Sequence, residues 1–245
     1  MNYFFRFLKI IFTLICGVFF IVSLLIVTPC YFFIFSFFPK STAPQKAHWI
    51  SRHWAKFLFI VFLIRMKVKN KEFIDPKQTY VFIANHQSQL DIPAYALACN
   101  NTLRFLAKAE LTKIPLMGYI IKNLYISVDR KDKAARHRSM DNMVQSLRQG
   151  ISVFICPEGT RNRTDQPLLD FRDGAFRLAI ESQLPLAVFT LKDSKKLHSP
   201  LRPFELSPGI IHGAWSRPIE TKGMTINDVE RLKELAKNYM LENLD

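Results

Sequence analysis

Residues 80–95, YVFIANHQSQLDIPAY, decide how the rest of the sequence is interpreted. An apolar run ends at Ala84, and His86 follows with an aspartate, Asp91, five positions later. In a continuous helix these two side chains would point about 140° apart. They can meet only if the chain turns between them, and Asp91 before Pro93 suits the first turn of a helix. The stretch therefore predicts a buried strand, a turn and a helix.

Such a turn has a chemical use. Histidine is the commonest general base, and a carboxylate on its other ring nitrogen fixes the tautomer. Spacing alone leaves open whether His86 and Asp91 form such a pair or are an incidental histidine and a capping aspartate. Ser88 lies close by, but the sequence contains no G-x-S-x-G nucleophile elbow, and Cys99 and Cys156 lie in apolar contexts. The base would then act directly on a substrate hydroxyl.

Beyond residue 71, short β-rich runs alternate with helical patterns. Strands are expected at 79–84, 103–107, 124–128, 151–156 and 186–191, and helices at 91–99, 115–123, 133–149, 173–182 and 226–243. Gly150 suits a helix C-terminus, and Asn227 with Glu230 suits a capping box. This alternation predicts an α/β fold with a mostly parallel central sheet flanked by helices. Ligands then bind beyond the carboxyl ends of the strands, after Ala84, Val128 and Cys156.

A second polar segment, CPEGTRNR at 156–163, follows one of these strands. Gly159 permits close backbone approach to a ligand, and Arg161 offers a planar fork suited to phosphate. The segment is not a P-loop, and an ordinary surface turn is the alternative. Positive potential can also come from four cations of the intervening segment, with a solvated surface position as the alternative for each: Lys108, Lys113, Lys122 and Arg130.

The N-terminal segment is uncharged from residue 10 to residue 39. A bilayer core needs about 20 apolar residues in a helix, and a cleaved signal peptide has a shorter apolar core. The segment is expected to stay on the protein, either spanning with a kink at Pro29 or lying in one leaflet. A second apolar stretch, 54–66, has basic flanks and predicts an interfacial helix, with a buried core helix as the alternative. We therefore expect membrane-embedded or interfacial helices in 1–70 and the α/β domain in 71–245.

Composition narrows the choice of partners. The 245 residues carry a formal net charge of +14 and only four cysteines. The charge favours an anionic partner, such as nucleic acid, anionic lipid or an acidic carrier protein. No RNP, zinc-finger or helix-turn-helix signature supports nucleic acid, and the cysteine spacing supports no metal site. The cysteines suit a reducing compartment. Basic residues flank the first apolar segment on both sides, and the more basic C-terminal side is expected to be cytoplasmic. The expected location is the cell (inner) membrane, with the catalytic domain on its cytoplasmic face.

Four blocks, in order, resemble the membrane glycerolipid acyltransferases, the family of 1-acylglycerol-3-phosphate acyltransferases. NHQSQLD matches the N-H-x4-D block, and KAELTKIPLMG followed by SVDR matches the second block. CPEGTR matches F-P-E-G-T-R, with Cys156 in place of the usual phenylalanine. FRDGAFRLAIESQLPLAVF leads into the fourth block, where Val188 replaces the second proline. The resemblance covers about residues 48–220.

The resemblance implies roles for individual residues. His86 would deprotonate the substrate hydroxyl, Asp91 would orient His86, and the hydroxyl would attack an acyl thioester without an acyl-enzyme. The acceptor's phosphate would lie on Arg161 within the block formed by Glu158, Gly159, Thr160 and Arg161, with help from Lys108. No metal or bound cofactor is implied.

The expected function is transfer of a fatty acyl group from acyl-CoA or acyl carrier protein to the sn-2 hydroxyl of lysophosphatidic acid, giving phosphatidic acid in phospholipid synthesis. Membrane lipids are expected partners, and nucleic acid is not. Two alternatives remain open: a relative that acylates another lyso-lipid, such as a lyso-ornithine or amino-acid lipid, and a lipid hydrolase or thioesterase. A non-enzymatic binder is a further alternative, which loss of activity on replacing His86 would exclude.

Overall fold

A seven-stranded, mostly parallel sheet forms the centre of the protein. The computed structural model describes residues 3–129 and 131–244. Its strands are β1 (Ile64–Lys69), β2 (Val81–Ala84), β3 (Leu103–Lys108), β4 (Ile126–Val128), β5 (Ser152–Ile155), β6 (Leu186–Lys192) and β7 (Gly209–Trp215). The order across the sheet is β1-β7-β6-β2-β5-β3-β4, and only the pairing of β6 with β7 is antiparallel among these strands.

Helices follow the strands along the chain. They are α1 (Tyr3–Phe37), α2 (Ala43–Val61), α3 (Asp91–Ala98), α4 (Met117–Leu124), α5 (Lys133–Arg148), α6 (Gly174–Ser182), α7 (Ser194–Leu197) and α8 (Val229–Leu244). Single 3₁₀ turns occupy Lys71–Phe73, Ala109–Lys113 and Ile226–Asp228. The α/β class, the five expected strands and the five expected helices of the domain are confirmed, with ends that differ by a few residues.

Alternation along the strands separates two cores. Tyr80, Phe82, Ala84, Phe154 and Phe189 pack with α3 on one side of the sheet, which we call the α3 face. Their neighbours point to the other side, the α6 face, where they pack with α5, α6 and α8: Val81, Ile83, Val153, Ile155, Leu186 and Val188. Successive side chains of a strand point to opposite faces, so these largely apolar strands need helices on both sides.

Helix α1 lies along the domain by one narrow stripe. Its buried residues, Cys16, Ser23, Leu24, Tyr31 and Ile34, recur at about every second turn. Hydrogen bonds fix it from one end to the other: Arg6 donates to Glu205 at 2.8 Å, and the Tyr31 and Ser51 hydroxyls are 2.6 Å apart. The remaining surface is apolar and exposed, and α1 is the one helix in the described residues that is long and apolar enough to cross a membrane.

Helix α2 differs from the expectation for the second apolar stretch. It covers Ala43–Val61 and has both a buried stripe, which includes Ala47 and Phe59, and exposed Trp49 and Ile60. The expected helix over 54–66 was wrong at its C-terminal end, because Ile64–Lys69 is strand β1. Leu63, with φ of 53°, breaks the helix just before the strand. The division at residue 70 stays a prediction, although β1 lies N-terminal to it.

Two further details of the fold were not predicted from the sequence. Strand β7 was not expected, and it pairs with both β1 and β6. The capping box before α8 is formed by Thr225 and Asp228, rather than by Asn227 and Glu230. The helical segment therefore starts with a 3₁₀ turn at Ile226–Asp228 before α8 begins. Gly150 ends α5 with φ of 74°, as a C-terminal glycine should.

Gly118, in the first turn of α4, allows a close backbone approach. A Cβ at this position would lie 2.2 Å from the carbonyl oxygen of Thr112. Gly118→Ala must displace the 3₁₀ turn at Ala109–Lys113, and we expect it to lower the free energy of unfolding by about 1–3 kcal/mol. Denaturant unfolding in detergent measures this. Gly17→Ala, where a Cβ meets nothing within 4 Å, is the matched control. Equal stability of the two variants would contradict the close approach.

Candidate active site

The turn between β2 and α3 brings His86 and Asp91 into contact. The Nδ1 atom of His86 lies 2.8 Å from Oδ2 of Asp91. Residues 85–90 form neither helix nor strand, so the chain turns between them as the spacing requires. Asp91 is fully buried, and the His86 side chain keeps 19% of its exposure. The arrangement directs the proton on Nδ1 toward the carboxylate and leaves Nε2 to face a substrate.

Asp91 is held by backbone as well as by histidine. The same oxygen, Oδ2, accepts the N–H groups of Gln87 at 2.6 Å and Ser88 at 2.8 Å. Asp91 is also the first residue of α3, where the helix dipole favours a negative charge. Three donors on one oxygen fix the carboxylate, and through it the plane of the imidazole ring.

Ser88 is placed as a structural residue. It is fully buried, its hydroxyl donates to the carbonyl oxygen of His198 at 2.7 Å, and it accepts the N–H of Leu90. Its proton is therefore directed to His198 and away from the His86 ring. Of the cysteines considered, Cys99 is fully buried and burial raises its pKa well above the usual range. Neither side chain is arranged as a nucleophile for His86.

The segment after β5 closes against the His86 turn. The Glu158 carboxylate accepts the N–H of His86 at 2.7 Å and that of Leu169 at 3.0 Å. The N–H of Asn162 in turn donates to the carbonyl oxygen of His86 at 2.7 Å. Glu158 is buried, and burial raises the pKa of its carboxyl group, while the two N–H donors act in the opposite direction. Both peptide groups of His86 are thus fixed by the 158–162 segment.

The remaining predicted site residues differ in exposure. Arg161 is half-buried and lies next to Asn162, so its backbone adjoins the partner of His86. Thr160 is exposed, and Gly159 adopts φ of 72° with the Arg172 side chain packed against it. These positions leave Arg161 beside the histidine and available to a ligand.

Lys108 is more distant from the pair. It lies at the end of β3, two strands from β2, and its Nζ is 2.9 Å from Oε1 of Glu110. Both side chains of this ion pair are more than half exposed. Lys113 and Lys122 are also exposed, and Arg130 lies outside the described residues. The structure therefore brings Glu158 and Asn162 into contact with His86, places Arg161 one residue from the Asn162 contact, and leaves Lys108 paired with Glu110 at the end of β3.

Asn85 is a site residue that the sequence analysis did not single out. Its side chain donates to the carbonyl oxygen of Leu191 and accepts the N–H of Leu191, both at 2.8 Å. The Tyr95 hydroxyl donates to the Asn85 carbonyl oxygen. Asn85 therefore continues the β2–β6 pairing by side chain after the strand itself ends. The signal available in the sequence was a polar residue immediately after a buried strand and immediately before His86.

Glu158→Gln tests the support of His86 by the second segment. An amide has one acceptor oxygen, so its NH₂ group must face one of the two buried N–H donors. We expect the free energy of unfolding to fall by about 1–3 kcal/mol, the cost of an unsatisfied buried group. Thermal or urea unfolding in detergent measures this, with Glu181→Gln on the exposed side of α6 as the control. A variant more stable than the wild type would show that the cost of burying the charge exceeds the hydrogen bonds.

The chain is similar to known acyltransferases. The family model described as Acyltransferase matches residues 65–192. An uncharacterized acyltransferase of Schizosaccharomyces pombe is 30% identical over 74% of this chain and 67% of its own length. The mouse 1-acyl-sn-glycerol-3-phosphate acyltransferase alpha is 31% identical over 73% of this chain, which spans 63% of the mouse protein.

A solved structure shares the fold. It is the crystal structure of the 1-acyl-sn-glycerophosphate acyltransferase PlsC from Thermotoga maritima, with a TM-score of 0.82 at 21% identity over 98% of this chain and 97% of that one. At this identity the likeness concerns the fold alone. The matched residues 65–192 include the His86 turn and the 158–162 segment. The chain therefore belongs to the Acyltransferase family.

Proposed function

We propose that the protein is a 1-acylglycerol-3-phosphate O-acyltransferase, which acylates the sn-2 hydroxyl of lysophosphatidic acid and produces phosphatidic acid for phospholipid synthesis. The observation that carries this is the His86–Asp91 pair: a partly exposed imidazole oriented by a buried carboxylate, with Ser88 held away from it. The named activity of the mouse relative supports the acceptor. The donor is acyl-CoA or acyl carrier protein.

In the proposed reaction, Nε2 of His86 takes the proton from the sn-2 hydroxyl as its oxygen attacks the thioester carbonyl carbon. Asp91 accepts the Nδ1–H bond and stabilises the imidazolium. The tetrahedral intermediate then collapses, its C–S bond breaks, and the departing thiolate takes the proton from Nε2. The products are the ester and a free thiol. No acyl-enzyme forms, and the proposed steps need neither a metal nor a bound cofactor.

Arg161 is the proposed binding residue for the acceptor's phosphate. Arg161 is half-buried, and its guanidinium carries charge-assisted donors in a planar fork, which suits a phosphate. The Asn162–His86 hydrogen bond ties its backbone to the base. Gly159 and Glu158 shape the segment rather than contact the phosphate through side chains of their own. Lys108 would join the phosphate site only by leaving Glu110.

The apolar surface of α1 supports attachment to a membrane. Most of its large apolar side chains are exposed, and α2 adds exposed Trp49, Phe57 and Ile60 beside it. Burying such a surface in lipid is favourable in proportion to its area. Acceptor and product are lipids, so a membrane-attached site meets both without extracting them. We propose the inner cell membrane, with the catalytic domain on the cytoplasmic face.

His86→Ala tests the base. We expect the rate of transfer from labelled palmitoyl-CoA or palmitoyl-acyl carrier protein to lysophosphatidic acid to fall at least about 10²-fold. His137→Ala, on the exposed surface of α5, is the matched control and should keep the wild-type rate. Unchanged transfer in His86→Ala would remove the proposed base. Release of free palmitate by the wild type at the same rate with and without acceptor would indicate a hydrolase instead.

Arg161→Ala tests the phosphate site. Loss of a charged hydrogen-bond donor of about 1.5–3 kcal/mol should raise the KM for lysophosphatidic acid about tenfold to a hundredfold. The KM for the acyl donor should change little. Arg163→Ala, two residues away and exposed, is the control. Efficient transfer by the wild type to a phosphate-free lyso-lipid, such as a lyso-ornithine lipid, with no transfer to lysophosphatidic acid, would overturn both the acceptor and the role of Arg161.

A further inference from the structure

One end of the sheet is left uncovered on the α6 face. The core that α5, α6 and α8 form on this face contains residues of β2, β3, β4, β5 and β6 but none of β1 or β7, among the residues described. On the α3 face, by contrast, Ile64 and Ile211 of these two strands are buried. Ile210 of β7 correspondingly keeps 36% of its exposure. The first residues of these two adjacent strands thus present one side to solvent, whereas Ala214, farther along β7 on the same side, is buried.

This bare side is cationic. Ile64, Met66 and Val68 of β1 pack on the α3 face, so the alternating residues Arg65, Lys67 and Lys69 point to the α6 face. Lys67 pairs in register with His212, which pairs in turn with Lys192 of β6. We call Arg65, Lys67, Lys69 and His212 the cationic face.

Its three β1 cations are exposed, and the ion pairs found among the described residues include none of them. Asp193 is one acid beside the cationic face, and its two oxygens are already engaged by the Nζ of Lys196 at 2.6 Å and the Nδ1 of His212 at 2.9 Å. Three basic side chains repeating along an edge strand, without partners of opposite sign, leave a concentrated positive potential. Such a surface favours an anionic partner.

The cationic face points away from the helices that carry the exposed apolar surface. Cys16 of α1 and Phe59 of α2 pack into the core on the α3 face, on the opposite side of the sheet. A bilayer that covers α1 and α2 would therefore meet the α3 side of the domain first. The anionic partner on the other side is expected to come from the aqueous phase.

The cationic face also begins beside the active site. Strand β7 runs antiparallel to β6, so the first residues of β1 and β7 lie at the edge where β2 and β6 end. Strand spacings of about 4.8 Å place β1 about 14 Å from β2 across the sheet, within reach of a donor on a flexible arm. Lys192, half-buried at the end of β6, lies between this face and the Asn85–Leu191 contact below His86.

We propose that the cationic face is the docking surface for an acidic acyl carrier protein, which delivers its thioester to His86 from the aqueous side. The inference rests on the proposed acyltransferase function and names its donor class. Charge complementarity at a rim governs encounter and orientation more than final affinity. The donor's own arm supplies the reach between the docking surface and the active site.

The test uses the full-length protein in detergent, with lysophosphatidic acid as acceptor and two donors, palmitoyl-acyl carrier protein and palmitoyl-CoA. Arg65→Glu combined with Lys67→Glu should raise the KM for the carrier protein about tenfold, because two attractions become repulsions. The kcat with the carrier protein and the KM for palmitoyl-CoA should stay within about twofold of the wild type. Lys222→Glu, exposed in a turn near the start of β6, is the matched control. Thermal unfolding establishes that each variant is folded.

Each outcome of this experiment supports or overturns the proposed docking surface. An unchanged KM for the carrier protein, or an equal rise for both donors, overturns the docking surface. A wild type that uses palmitoyl-CoA alone overturns it while leaving the acyltransferase function intact. A wild type that transfers from neither donor overturns the proposed function itself. Weaker binding of the double variant to vesicles of phosphatidylglycerol, with carrier-protein kinetics unchanged, would assign the cations to lipid headgroups and reject the carrier protein.

Discussion

One oxygen atom organises the active site. Oδ2 of Asp91 receives the imidazole Nδ1 of His86 and two backbone N–H groups, all within 2.8 Å. Because this oxygen belongs to the first residue of α3, the helix and the turn that precedes it are fixed by the same contacts. A shift of the helix by one residue would carry the carboxylate away from all three donors. The orientation of the His86 ring therefore depends on the turn between β2 and α3, and the apolar core around α3 stabilises that turn.

The other contacts to the turn come from distant parts of the chain. Glu158 and Asn162 hold the two peptide groups of His86 from the end of β5, and His198 receives the Ser88 hydroxyl from beyond β6. In a parallel sheet these strand ends meet at one edge, which explains why the polar segments of the sequence converge. The imidazole of His86 is engaged through Nδ1 and stays partly exposed, which leaves Nε2 for the proposed acceptor hydroxyl. Catalytic geometry here is a property of the sheet edge rather than of a single loop.

Much of the domain could be predicted because local signals agreed with the fold. The apolar runs gave β2 and β5, Gly150 marked the end of α5, and the five-residue spacing of His86 and Asp91 required the turn that is observed. These features depend on residues that are neighbours in sequence. The same is true of the polar segment after β5, whose composition alone indicated a ligand site.

The features that could not be predicted from the sequence depend on contacts between residues that are far apart in the chain. The alternation of apolar and basic residues in β1 is that of a strand, but it directly follows an apolar helix and was assigned to it. Glu158 was expected at the phosphate, yet its carboxylate serves the backbone of His86, 72 positions away. Lys108 has Glu110 two positions on, a contact that charge counting does not reveal. Residue type alone does not show which of these side chains contact one another, because the contacts join residues that are far apart in sequence or depend on how the strands pair.

The position of β1 has a practical consequence for any shortened form of the protein. The strand follows α2 after only Phe62 and Leu63, and it covers the edge of β7. A truncation chosen from hydropathy, just beyond the last apolar and basic residues near position 70, would remove this strand together with the helices. β7 would then present an unpaired edge, with Ile211 and Trp215 losing part of their cover on the α3 face. The membrane-attachment helices and the edge strand β1 thus form one continuous segment of the chain. Removing that segment by proteolysis or cloning removes the exposed apolar surface of the helices, but it also exposes an unpaired strand edge that favours aggregation.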